Sequence, residues 1–171
     1  NSGSDGWFVG FPYSNSGTTG VSLYVNGSNL GATWGVAYSN QASKVFTSAF
    51  MKRHSGLGPN GSGAIYMVNP TTGAVSLFYD MDANGYRTRA DGAAPAYGLG
   101  SSYSLTGNNI ATYLGSIDPL TGEPSGLGVI GTNTQRGLPA NYLTPNNDPA
   151  AFDQVGKVSL GGLEISEDGK Y

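Results

Sequence analysis

Residues 64–79, AIYMVNPTTGAVSLFY, decide the fold class of this 171-residue chain. Residues 64–68 and 74–79 are two short runs rich in β-branched and aromatic residues, the composition typical of β-strands. Between them, residues 69–73 have the chemistry of a tight turn, because Asn caps it, Pro fixes φ and Gly takes the left-handed position. The stretch therefore predicts a β-hairpin.

Short strands separated by turns continue on both sides of this hairpin. Asn26-Gly27 suits a type I′ turn, and residues 39–43, 55–63 and 80–104 are expected to be turns or loops. The chain holds 28 Gly and 9 Pro, which interrupt every candidate helical run, so we expect an essentially helix-free protein. The remaining predicted strands are 20–25, 35–38, 44–50, 111–117, 126–130 and 156–165.

Composition and charge exclude several classes of function. The net charge is −3, from 8 Lys and Arg against 11 Asp and Glu, and no basic cluster indicates nucleic acid or an anionic membrane as a partner. No apolar run approaches the roughly 20 residues of a membrane-spanning helix. The absence of Cys excludes disulfides, thiol catalysis and Cys-ligated zinc. A chain rich in Gly, Ser, Thr, Asn and Tyr is typical of secreted or cell-surface bacterial proteins, so we expect an extracellular or surface location.

The sequence also contains internal echoes. Residues 69–73, NPTTG, recur as residues 118–122, DPLTG, 49 positions later. A second echo links residues 35–46 with residues 162–171, 127 positions apart. These spacings fit repeat units of about 40–50 residues, the class to which propeller blades belong.

Three segments carry a resemblance to a known family: WGVAYSNQASKVFTSAF (34–50), GSGAIYMVNPTTGAVSLF (61–78) and GGLEISEDGKY (161–171). They resemble strands of bacterial extracellular β-propeller surface proteins, in particular those whose propeller precedes immunoglobulin-like repeat domains of the SdrD B type. The resemblance implies that residues 1–171 are a single all-β region, a fragment of a larger β-propeller with about three blades. The remainder of its own propeller or a second polypeptide would complete the ring. The alternative is a β-sandwich with coincidental hairpin turns.

Residues 80–91, DMDANGYRTRAD, have the spacing of a twelve-residue calcium loop. Calcium prefers six to eight hard oxygen ligands, and Gly at the sixth position allows the sharp turn that points them inward. The last position is Asp rather than Glu, and no amphipathic helix is expected on either side. The alternative is a polar turn in which Asp and Asn act as turn formers. The candidate ligands are Asp80, Asp82, Asn84, the Tyr86 carbonyl and Asp91.

Aromatic residues near the start of the chain supply a candidate ligand-binding set, Trp7, Phe8 and Phe11. Their rings could stack on sugars. Trp34 and Tyr38 fall in a predicted strand, so we expect them to pack in the core.

Catalysis is not what the residues favour. His54 is the sole histidine, so a His₂ or His₃ metal site is impossible, and no G-x-S-x-G nucleophile elbow is present. The sequence thus predicts a β-propeller module with a structural or adhesive role. The alternative is a lectin-like, carbohydrate-binding propeller, which would depend on calcium if the 80–91 loop binds the ion, and a lactonase-like propeller hydrolase is less favoured.

Overall fold

The computed structural model describes residues 6–15, 20, 23–84, 88, 133, 138, 155 and 158–171. The predicted strands 111–117 and 126–130 and the second turn, 118–122, lie outside these residues. No helix in the described ranges is long and apolar enough to cross a membrane. The elements are β1 (Gly6–Gly10), β2 (Leu23–Asn26), α1 (Gly27–Leu30), β3 (Thr33–Ser39), β4 (Lys44–Ala49), a 3₁₀ helix (Gly61–Gly63), β5 (Ala64–Val68) and β6 (Val75–Asp80).

The strands form two antiparallel sheets. β1 pairs with β2, and the larger sheet has the order β3-β4-β5-β6, in which each strand pairs with the next along the chain. The described part is therefore mostly β with two short helical turns, as the composition predicted. The hairpin that decided the fold class is confirmed: the Asn69 side chain accepts the Thr71 N–H at 2.9 Å, and Gly73 has a φ of 72°.

The core lies on one face of the larger sheet. Alternation along the central strands β4 and β5 turns Thr47, Tyr66 and Val68 to this face, and all three are fully buried. The β1–β2 pair and α1 cover it with apolar side chains, among them Val25 and Leu30. The central strands are thus buried, and the strands at the two edges of the sheet receive less cover.

Two local expectations are wrong. Asn26-Gly27 is not a type I′ turn, because the Asn26 side chain accepts the Ser28 N–H at 2.9 Å and caps α1 instead. Residues 158–165, the described part of a predicted strand, contain no strand. Ser159 alone forms an isolated bridge, with Phe50.

The expectation that Trp34 and Tyr38 pack in the core is also wrong. Their side chains are 64% and 52% exposed. Both lie on β3, which is an edge strand of the sheet and contributes no residue to the core cluster that the β1–β2 pair and α1 form with β4 and β5. A bulge opposite Ser48 interrupts the register near Trp34, and its ring packs against Phe50 with centroids 5.2 Å apart.

Candidate functional site

The turn after β6 contains three of the predicted calcium ligands. The Asp80 carboxylate accepts the Ala83 N–H at 3.1 Å, and the Asn84 amide donates to the Asp80 carbonyl at 2.7 Å. The first bond caps the turn through the Asp80 side chain and the second closes it through the Asn84 side chain, the side-chain-to-backbone bonding that Asp and Asn favour in loops. Tyr86 and Asp91 lie outside the described residues.

Asp82 belongs to a hydrogen-bonded polar cluster with Thr88 and Ser62. One carboxylate oxygen accepts the Thr88 N–H at 2.8 Å and the other accepts the Thr88 hydroxyl at 2.7 Å. The Ser62 hydroxyl, fully buried, lies 2.9 Å from that of Thr88 and 3.4 Å from Asp82. Gly63 leaves room for this arrangement, since an added Cβ would lie 2.7 Å from an Asp82 oxygen. The Asp82 carboxylate thus links Thr88 to Ser62 of the 3₁₀ helix by hydrogen bonds.

The described residues hold no group of three His, Cys, Asp or Glu side chains that could share a metal ion. The predicted loop brings Asp80, Asp82 and Asn84 into one turn.

The three aromatic candidates near the start of the chain have different surroundings. Trp7 and Phe8 lie on β1, and Phe8 packs against the core. Phe11 follows the strand and is 65% exposed. The structure does not unite Phe8 and Phe11 in one exposed cluster. His54 lies in an exposed turn between Lys52 and Ser55.

The strongest long-range arrangement joins the sheet to the C-terminal segment, residues 158–171. The Leu160 N–H donates to the Ala49 carbonyl at 3.1 Å, and the Ser159 hydroxyl accepts the Met51 N–H at 2.7 Å. These bonds seat the segment at the end of β4.

Ser48 and Gly35 make further contacts between the sheet and the C-terminal segment. The buried Ser48 hydroxyl donates to the Gly161 carbonyl at 2.7 Å and accepts the Gly35 N–H at 3.2 Å. Gly35 allows the close approach of Leu163, because a Cβ on Gly35 would lie 2.5 Å from the Leu163 nitrogen. A glycine in a predicted strand is the sequence signal for such a close approach of a second backbone.

Beyond Leu163, the segment and the sheet enclose an apolar groove of about 420 Å³. We call it the C-terminal groove. Phe46 and Phe78 form part of its floor, with ring centroids 4.8 Å apart in an edge-to-face arrangement. Its charged rim consists of Glu164 and Lys170. The groove-lining apolar side chains are Phe46, Ile65, Phe78, Leu163, Ile165 and Tyr171.

Apolar side chains are exposed on both faces of the larger sheet. Val36 and Tyr38 share the core face but are 54% and 52% exposed. Phe78 is 58% exposed and contacts Phe46 on the opposite face. Antiparallel sheets with one solvated face normally carry polar residues there, so this sheet has the composition of one covered on both sides.

Comparison with known proteins gives one partial likeness. No protein-family profile matches the chain, and no solved structure matches it. A stretch of 55 residues, 31% of this chain, is 38% identical to part of Colossin-D of Dictyostelium discoideum. The chain spans about 6% of the length of that protein. The likeness does not assign the chain to a family.

Proposed function

We propose that the chain is a β-propeller module of a secreted or cell-surface protein, with a structural or adhesive interaction role. The observation that supports it best is the exposure of Val36, Tyr38 and Phe78 on the two faces of one four-stranded meander. Propeller blades are four-stranded antiparallel sheets, and each blade packs between its neighbours. Exposed apolar patches rimmed by polar residues mark interaction surfaces. The remaining blades come from the rest of its own propeller or from a second polypeptide.

A flow assay tests the adhesive role. Beads coated with the chain are passed over surfaces coated with the same chain, with a glycan mixture or with gelatin. We expect retention on at least one surface, and we expect Val36→Lys and Tyr38→Lys to reduce it. Tyr13→Lys is the matched control, because Tyr13 is fully exposed but lies outside the sheet. Equal release of all variants from every surface would contradict the proposal.

Carbohydrate binding is the second candidate. Trp34 supports it, since the indole is 64% exposed and yet held against the Phe50 ring. A rigid, exposed aromatic face suits stacking on a sugar ring. A glycan array, read with and without a chelator, would detect a bound glycan. Trp34→Ala should abolish the signal and Tyr13→Ala should preserve it.

Calcium is proposed as the ion of the 80–91 loop in either case. Asp80, Asp82 and Asn84 lie on one turn, and oxygen atoms of these types are the ligands calcium prefers. The ion would be held by Asp80, Asp82, Asn84, Tyr86 and Asp91.

A further inference from the structure

The backbone of residues 162–165 is an open edge. Upstream, Leu160 and Gly161 are hydrogen-bonded to β4. Among the described residues, the backbone of 162–165 makes no hydrogen bond. Unpaired backbone groups along an extended segment are a template for another strand.

The turn that follows sets the direction of such a strand. The Gly169 N–H donates to the Ser166 carbonyl at 2.8 Å, and the Ser166 N–H donates to the Tyr171 carbonyl at 2.7 Å. The chain therefore reverses and begins an antiparallel pair. The β3–β4 hairpin begins in the same way, with Ser39 opposite Lys44.

The C-terminal groove lies beside this open edge. It continues the interface that Gly161 and Leu163 already make with the sheet at Ser48 and Gly35. A strand paired with residues 162–165 alternates its side chains between two faces, so every second one can enter the groove.

We propose that the open edge and the C-terminal groove bind an extended β-strand that carries apolar side chains on the face toward the groove. Its backbone pairs with residues 162–165, and its apolar side chains pack on Phe46 and Phe78. The occupant resembles residues 44–50, in which Phe46 and Phe50 are four positions apart and therefore share one face of an extended strand, because β4 follows the equivalent turn in the β3–β4 hairpin. This mode is strand addition, in which main-chain bonds give affinity and side-chain pockets give specificity. The inference rests on the proposed interaction role and gives that role a second surface, on the face of the sheet opposite Val36 and Tyr38.

A synthetic peptide with the sequence of residues 44–50, KVFTSAF, extended by solubilising residues at both ends, is the probe. Binding is measured by titration, and amide hydrogen exchange locates it. We expect saturable binding with slower exchange at residues 162–165. A peptide of the same composition, with its two Phe residues an odd number of positions apart so that they lie on opposite faces, should bind at least about tenfold more weakly.

Two pairs of variants separate the groove from the backbone edge. Phe78→Ser should weaken binding about tenfold or more, whereas Leu77→Ser on the other face of β6 should leave it unchanged. Glu164→Pro removes a backbone donor at an exposed position and should abolish binding, whereas Glu164→Ala should not. Thermal melts of all four variants establish that they fold.

Three results would overturn the inference: no saturable binding at millimolar peptide, equal affinity of Phe78→Ser and the parent, or protection away from residues 162–165. Protection there that rises with protein concentration in the absence of peptide would assign the edge to a second copy and also overturn it. If the beads adhere but the peptide does not bind, this inference fails and the adhesive role stands. If the peptide binds but the beads do not adhere, the adhesive role fails and the strand-binding inference stands.

Discussion

Replacement of Gly35 by alanine tests whether the C-terminal segment is docked on β3. The new Cβ would lie 2.5 Å from the Leu163 nitrogen, 2.7 Å from the Leu163 Cβ and 2.7 Å from the Ser48 hydroxyl. All three distances are shorter than a carbon atom tolerates. Two of the three atoms belong to the backbone or its first side-chain carbon, so a rotamer change cannot relieve the contact. The segment has to move away, and the Ser48–Gly161 hydrogen bond is then lost.

The magnitude follows from two opposing effects. Overpacking a well-packed site costs about 1–3 kcal/mol of the free energy of unfolding. Alanine restricts the unfolded chain more than glycine does, which returns about 0.4–1 kcal/mol. The net loss is about 0–2.6 kcal/mol, with a midpoint near 1.3 kcal/mol. For a protein of this length, each kcal/mol shifts the melting temperature by about 2–4 °C, so the decrease expected at the midpoint is about 3–5 °C.

Urea denaturation and thermal melts measure the loss, and amide exchange at Leu160 measures the detachment directly. Gly162→Ala is the matched control: it is a neighbouring glycine on the docked segment, and an added Cβ there meets no atom within 4 Å. We expect the control to melt with the parent protein or above it. If Gly35→Ala were as stable as Gly162→Ala, with unchanged exchange at Leu160, the docking described above would be refuted.

Three further predictions follow from other contacts. Thr88→Val removes the hydroxyl that bonds Asp82 and leaves the buried Ser62 with one partner fewer. The urea midpoint should therefore fall by the equivalent of about 1–3 kcal/mol. An unchanged midpoint would contradict the hydrogen bonds among Asp82, Thr88 and Ser62. Burial, and secondarily the charge of Asp80, raise the pKa of Tyr66, so the unfolded chain releases this proton first and stability is lost as pH rises above about 10. Tyr66→Phe should lose less stability than the parent over that range, and parallel pH profiles would refute the assignment. Millimolar calcium should raise the melting temperature relative to chelator, and Asp80→Asn, which keeps an acceptor for Ala83 but removes the charge, should reduce the rise; no rise in the parent would exclude the site.

The four strands of the larger sheet were predictable because each combines strand-forming residues with a recognisable turn. β5 has the predicted bounds, and β4 and β6 differ from prediction by a residue at one or both ends. Asn69 and Gly73 act as the turn chemistry requires. Local sequence suffices here because each strand pairs with its neighbour in the chain, so no distant partner has to be known.

The unpredicted features depend on choices that the local sequence leaves open. Asn26 can begin a type I′ turn or cap a helix, and the helical option wins because Leu30 is then buried completely in the core. β1 begins and ends with glycine, a residue that is depleted in strands. Its aromatic residues, Trp7 and Phe8, are typical of an exposed binding patch as well as of a strand. Trp34 and Tyr38 have the residue types of a core, but burial depends on which strand lies at the edge.

The candidate site was less predictable than the fold for a related reason. Ser48 and Gly161 are separated by 113 residues, and nothing in either residue type specifies the other. The calcium spacing, by contrast, is entirely local. Asp80 and Asn84 lie on one turn and calcium binding there stays a prediction, but the spacing could not indicate that both oxygens of Asp82 accept hydrogen bonds from Thr88.

The C-terminal turn shows how far a sequence echo carries structure. In the β3–β4 turn the Ser39 hydroxyl accepts the Ala42 N–H at 3.1 Å, and in the C-terminal turn the Ser166 hydroxyl accepts the Lys170 N–H at 3.2 Å. The Ser166 hydroxyl and the Lys170 N–H both donate to Asp168 and lower the pKa of that carboxyl. The second turn is thus stabilised within its own six residues.

The strands beside the two turns differ although their sequences echo each other. Residues 35–38 are part of β3 because β4 follows and completes the ladder. Residues 162–165 have a similar pattern. Among the described residues, however, the backbone pairing next to the C-terminal turn is limited to the hydrogen bond from the Ser166 N–H to the Tyr171 carbonyl. A turn is stabilised by hydrogen bonds within one segment, whereas a β-strand needs hydrogen bonds to a second segment. Within the part of the chain that the structure describes, β3 has a pairing partner and residues 162–165 have none, which accounts for the difference between the two segments without a difference in strand-forming tendency.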